Sequence, residues 1–173
     1  MPLPADVLKE RVRNEIELCQ RELRHHLSVS DPTLSSFPIM ISVTLLRVPG
    51  PDWEDGRVVH RFVHRISIII TEDYPLEKPI VKWQTPIFHP NIMPPEDGGY
   101  VCTKLLENWY FSSTLVTFIK GIESLLVNPN PASPFGNNKC TMAAAFFNRN
   151  KYHPPLVMDQ SDRRVRIVGD VHE

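Results

Sequence analysis

Of the three cysteines in this 173-residue chain, only Cys102 lies outside an apolar pattern. It follows the turn Pro94-Pro95-Glu96-Asp97-Gly98-Gly99 and the pair Tyr100-Val101, a setting where a thiol can meet solvent and substrate. Cys19 falls in the apolar stripe of a first helix, and Cys140 stands beside Met142 and Ala143 in a later one. Both read as small buried hydrophobes. Asn91 stands 11 residues before Cys102, and the intervening turn could fold the chain back to bring its amide near the sulfur. A side-chain amide placed there could hold a developing oxyanion.

Other chemistries find less support. Three cysteines are an odd number, and with no C-x-x-C pair they argue against a disulfide framework or a thiolate zinc site. His25-His26 and the pair His60 and His64 each lack a third ligand, so neither predicts a metal centre. Nineteen basic against twenty acidic side chains leave a formal charge of −1, which argues against nucleic acid or anionic lipid as the main partner. No apolar run approaches the roughly 20 residues of a membrane span. The N-terminus has no basic region leading into an apolar one. The expectation is a soluble chain in the cytoplasm, or also in the nucleus if the source is eukaryotic.

These residues need positioning elements. A first helix is predicted from about Ala5 to Leu27, with Leu8, Val12, Ile16, Cys19, Leu23 and Leu27 at helical spacing. Arg11, Glu15 and other charged residues fill its remaining faces, and His25-His26 closes it, where cations suit the dipole. Runs rich in β-branched residues at Ile39–Val48 and Arg61–Thr71 read as strands, separated by a strong loop signal from Pro49 to Gly56. Alternation places Phe62, His64, Ile66, Ile68 and Ile70 on one face. A short strand, Val81–Gln84, follows.

The stretch from Thr85 to Ser113 carries no regular pattern, and such a length in a compact domain points to function. The chain has 17 prolines against 7 glycines, which fits rigid extended loop there. Thr114 caps a second helix that Asn128-Pro129-Asn130-Pro131 stops, and a third runs from about Asn137 to Asn150. Pro154-Pro155 prevents continuation. The order of elements is that of an α+β domain, with residues 1–153 as a single core and 154–173 as a mixed-charge tail.

The combination of Tyr74-Pro75, Phe88-His89-Pro90-Asn91-Ile92, Gly99-Tyr100-Val101-Cys102, Trp109 and Pro129-Asn130-Pro131 resembles the ubiquitin-conjugating (E2) family. The resemblance implies the E2 α+β fold: an N-terminal helix, a four-strand antiparallel meander, an active-site loop and two C-terminal helices, with the last family helix missing or replaced. It implies Cys102 as the nucleophile that takes a ubiquitin or ubiquitin-like modifier from an E1 enzyme as a thioester and passes it to a lysine of a protein substrate. Asn91 would stabilise the oxyanion or order the loop, Ser133 would gate the acceptor, and His89 and Pro90 would be structural. Leu76, Tyr110, Phe111 and Ser112 would meet E1 and a RING-type E3. No metal and no small-molecule cofactor is expected.

Elementary chemistry agrees with that assignment. A thioester carrier needs an accessible thiol and an oxyanion donor, but no hydrolytic base beside the sulfur. Pro90 fixes the backbone of His89 extended, so its ring is expected to bond inside the loop instead of reaching Cys102. Two alternatives stand beside this reading: a binding-only E2-like module, which would lack the cysteine, and a cysteine hydrolase, which would place a histidine nitrogen against it. The chain departs from the family habit in a longer Asn91–Cys102 loop, in Lys104 where many members carry an acid, and in an uncharged Ser133.

Overall fold

The computed structural model describes residues 1–106, 108–159 and 164–166. Helix α1 (Ala5–Glu22) buries Leu8, Val12, Ile16 and Cys19 as its spacing dictates. It ends earlier than its apolar stripe, because Leu23 turns extended to lead the chain into strand β1 (His26–Val29). The two histidines therefore do not close the helix. His26 pairs with Thr44, while His25 accepts a hydrogen bond from the Leu46 amide at Nδ1, 3.0 Å, and meets Glu123 with Nε2.

Strands β2 (Ile39–Glu54) and β3 (Arg57–Ile70) overturn the loop expected between Pro49 and Gly56. Pairing resumes at Gly50 opposite Arg61 and continues to Glu54 opposite Arg57, leaving a two-residue Asp55-Gly56 turn. Both turn residues have positive φ, +50° and +77°, the mark of a tight hairpin. Pro49 is absorbed because the ladder shifts register between Leu46 and Gly50, where a bulge tolerates a missing donor, while Pro51 lies past it, opposite His60. Beyond that bulge the core alternation fails. His64, Ile66, Ile68 and Ile70 are buried, whereas Phe62 is 41% exposed.

With β4 (Ile80–Trp83), the sheet is an antiparallel meander in the order β1-β2-β3-β4. Its inner face, from Ile39, Ile41, Val43 and Leu45 to Val81 and Trp83, packs against α1 and α2 in one core. Helix α2 (Leu115–Val127) begins with the expected Thr114 cap, a reciprocal capping box with Thr117. Helix α3 (Asn138–Arg149) is capped by Asn137, whose side chain accepts from Lys139 and Cys140 amides at 3.0 and 3.2 Å. Its Ala143 and Phe147 join Phe88 and Tyr152 in a second apolar cluster. After α3 the chain forms a small antiparallel pair, β5 (Val157–Asp159) with β6 (Arg164–Arg166).

Candidate active site around Cys102

The residues before Cys102 are built into the sheet's far edge. Trp83 donates to the Gly99 carbonyl at 2.7 Å, Met93 donates to Tyr100 at 2.8 Å, and the Cys102 amide donates to the Asn91 carbonyl at 2.9 Å. Gly99 has φ +67°, and a Cβ there would lie 2.4 Å from the Trp83 carbonyl oxygen, so only glycine fits. Val101 points inward and is buried, while Cys102 is half-buried at the start of the short turn Thr103–Leu105. Lys104 is exposed.

The other two thiols are withdrawn from chemistry. Burial, with the Glu15 carboxylate as a lesser cause, pushes Cys19 up to about 12. Burial pushes Cys140 up to about 11, and its Sγ lies 3.6 Å from the Ile92 carbonyl. Neither forms an appreciable thiolate near neutral pH.

His89 is 1% exposed and uses both ring nitrogens on the backbone: Nε2 donates to Leu125 O at 2.9 Å and Nδ1 accepts from the Asn91 amide at 3.0 Å. Burial depresses its pKa to about 4, so it is neutral and already satisfied. That leaves no free nitrogen to act as a base. His64 is likewise buried against Val48 O, and His60 pairs with the Tyr152 hydroxyl.

Asn91 is fully buried and its amide is spoken for. Nδ2 donates to the carbonyls of Asn130 and Ser133, each at 3.0 Å, while Oδ1 accepts from the Asn130 amide at 2.7 Å. These bonds tie the Asn91–Cys102 loop to the Asn130–Ser133 segment. Pro90 adds to the clasp by accepting from the Phe135 amide at 3.1 Å. Ser133 is exposed at the rim, joined to Asn91 by its backbone and not by its hydroxyl.

The expected partner residues form one surface. Leu76, Tyr110 and Phe111 are 48%, 62% and 53% exposed, and Ser112 is exposed beside them. Trp109 joins the two loops by donating to Pro75 O at 2.7 Å while its ring meets Phe118 edge-on. Two residues that the sequence reading left on the charged face of α1 help to build this surface. Arg11 donates to Phe111 O and Ser113 O, at 2.7 and 3.0 Å, and lies over the Phe111 ring. Glu15 is only 7% exposed and accepts from the Tyr74 hydroxyl, the Leu115 amide and Arg11. No local pattern distinguishes such a carboxylate, because its partners lie 59 and 100 residues away. Between the Leu106–Ser113 loop and α2 runs a groove of about 500 Å³, reaching from Trp109 to Asn130. Among the described residues no group of three or more His, Cys, Asp or Glu could hold a metal ion. No described helix is long and apolar enough to cross a membrane.

These features define a class: an antiparallel meander backed by helices, with one accessible thiol at its edge and an asparagine clasp beside it. The chain belongs to the ubiquitin-conjugating enzyme family, whose model matches residues 11–154. It is 38% identical over 93 residues to the SUMO-conjugating enzyme ubc9 of Dictyostelium discoideum, covering 50% of this chain and 53% of that one. It is 30% identical over 128 residues to ubiquitin-conjugating enzyme E2 2 of Candida glabrata, covering 70% and 71%. The matched part spans about half the length of the first of these relatives. The fold is that of Saccharomyces cerevisiae Ubc12, with a TM-score of 0.62 at 24% identity over 83% of this chain and 70% of the other.

Proposed function

We propose that the protein takes an activated ubiquitin-like modifier from an E1 enzyme as a thioester on Cys102 and transfers it to a lysine amine. The observation that carries this reading is the contrast among the thiols: Cys102 is half-buried on a held loop, while Cys19 and Cys140 are both 0% exposed. The Cys102 thiolate attacks the E1-bound carbonyl, and the E1 thiolate leaves. The acceptor amine then attacks the new thioester, the carbon–sulfur bond breaks, and the thiolate leaves as the amine loses a proton. Acyl transfer of this kind needs no base to activate water, which suits a neutral, fully bonded His89. A hydrolase reading has no such fit.

In this reading Asn91 holds the loop that presents the sulfur, and Ser133 stands at the acceptor's approach. The exposed side chains of Leu76, Tyr110, Phe111 and Ser112 serve as the docking face for E1 and a RING-type E3, where a few apolar anchors carry most of a small interface's affinity. A cytoplasmic setting suits free thiols. The test is incubation with candidate E1 enzymes, modifiers and ATP, followed by a non-reducing gel. A thiol-sensitive adduct should appear with the wild type, Cys19→Ala and Cys140→Ala, and vanish with Cys102→Ala. Persistence in Cys102→Ala would sink the assignment.

A further inference from the structure

Three segments around the exposed Leu76 and Phe111 meet at Arg11 on α1. Its Nη2 donates to Phe111 O at 2.7 Å and to Ser113 O at 3.0 Å, reaching 100 and 102 residues along the chain. Its guanidinium carbon lies 5.0 Å from the Phe111 ring centroid and 5.7 Å from that of Tyr74, so one cation serves a ring from each loop. Its Nε donates to Glu15 at 3.2 Å, and Glu15 in turn accepts from the Tyr74 hydroxyl.

These contacts direct the side chain inward. Only 21% of it is exposed, whereas Arg13 and Arg21 on the same helix stand in solvent. The Tyr110–Ser113 turn closes on itself: the Tyr110 amide donates to Ser113 Oγ at 2.8 Å, and the Ser113 amide donates to Tyr110 O at 2.9 Å. The two bonds from Arg11 attach that closed turn to α1. A lysine could not take over the arrangement. An ammonium has no plane to lay on a ring and no second nitrogen to reach Glu15 while bonding both carbonyls.

We propose that Arg11 is a positioning residue for partner binding: it clamps the Tyr110–Ser113 turn to the loop of Tyr74 and Leu76, so that Leu76 and Phe111 meet a partner protein as one preformed surface. The clamp acts through the geometry of the guanidinium, and the partner does not read its charge. A preformed surface binds more tightly than one that must be ordered on contact, because the ordering cost is already met within the free chain. The inference deepens the reading of Leu76 and Phe111 as a docking face for E1 and rests on it. Its intramolecular half can be read on the free protein.

The experiment has two arms, each run on the full chain as wild type, Arg11→Lys and Arg11→Ala. In the first, amide hydrogen exchange at Tyr110 and Ser113 is followed on the free protein. Exchange should quicken roughly three- to ten-fold in both variants, because the turn has lost its attachment. In the second, transfer from the E1 and modifier pair that charges the wild type is timed against protein concentration at low and high salt. Both variants should raise KM roughly three- to ten-fold with kcat little changed, and the salt dependence of KM should match the wild type's. A general loss of folded protein would instead lower the apparent kcat. Arg11→Lys behaving as wild type in both arms would overturn the clamp. So would a KM that rises only in Arg11→Ala with exchange unchanged, since Arg11 would then touch the partner through its charge. A wild type that no E1 charges would overturn the thioester reading instead, and the exchange arm would still decide whether Arg11 holds the turn.

Discussion

At the scale of single residues, Asn91 is a side chain of apparent catalytic type whose amide is engaged by backbone on every side. Both of its amide protons and its carbonyl are bonded to backbone 39 and 42 residues away. Truncation to alanine would leave buried backbone groups of Asn130 and Ser133 unpaired, at about 1–3 kcal/mol for each unsatisfied group. Asn91→Ala should therefore lower the unfolding free energy by about 2–3 kcal/mol, and transfer to lysine should fall in parallel. Denaturant unfolding beside single-turnover discharge checks this. A roughly 10²-fold loss of transfer with stability unchanged would instead assign the amide to the oxyanion.

Elements are joined here by a few buried polar ties. Glu15 on α1 accepts from Leu115 N at 2.9 Å, and so places a carboxylate at the N-terminus of α2, where the helix dipole favours negative charge. The same carboxylate takes the Tyr74 hydroxyl at 2.7 and 2.9 Å, which brings in the loop carrying Leu76. Burial, then the neighbouring Glu15, pushes the Tyr74 phenol far above its ordinary range, so it stays a donor at any working pH. Glu15→Ala should cost about 3–4 kcal/mol, because two buried donors lose their acceptor. Glu15→Gln, which keeps an acceptor oxygen, should recover part of that loss. Thermal melts of the two variants beside the wild type test the order, and melts equal to the wild type's would show that the tie contributes nothing.

Across the whole molecule, buried histidines couple folding to pH. Burial holds His89 down to about 4 from an ordinary value near 6.5, and it lowers His64 and His60 in the same direction. A histidine whose folded pKa is depressed is protonated first in the unfolded chain. Its stabilisation is complete above pH 6.5 and is lost as pH falls from there toward 4. For His89 alone the loss amounts to about 3 kcal/mol over that window, at about 1.4 kcal/mol for each tenfold change in proton affinity. Urea unfolding between pH 7 and 4 should show the decline, and His89→Gln should flatten it while lowering stability at pH 7.

Much of this protein was legible without coordinates wherever the governing pattern is local. The 3.6-residue period placed α1 and α2, the cap of α2 followed from Thr114, and the β-branched runs marked the cores of β2 and β3. The Cys102 setting and the family motifs are likewise readable in order along the chain. Tertiary structure decided what depends on partners distant in sequence. Pairing with Arg57–Arg61 turned a proline-rich segment into strand, since a ladder plus one bulge outweighs the local preference for loop. The approach of Tyr74 and Leu115 made Glu15 a buried tie instead of a surface charge. The early turn after Glu22 moved His25 from a helix end to a contact with Glu123. The carbonyls of Asn130 and Ser133 engaged the Asn91 amide, a contact that spacing alone does not reveal. Local patterns record which backbone states a segment tolerates, whereas burial and hydrogen-bond partners are set only when distant segments meet.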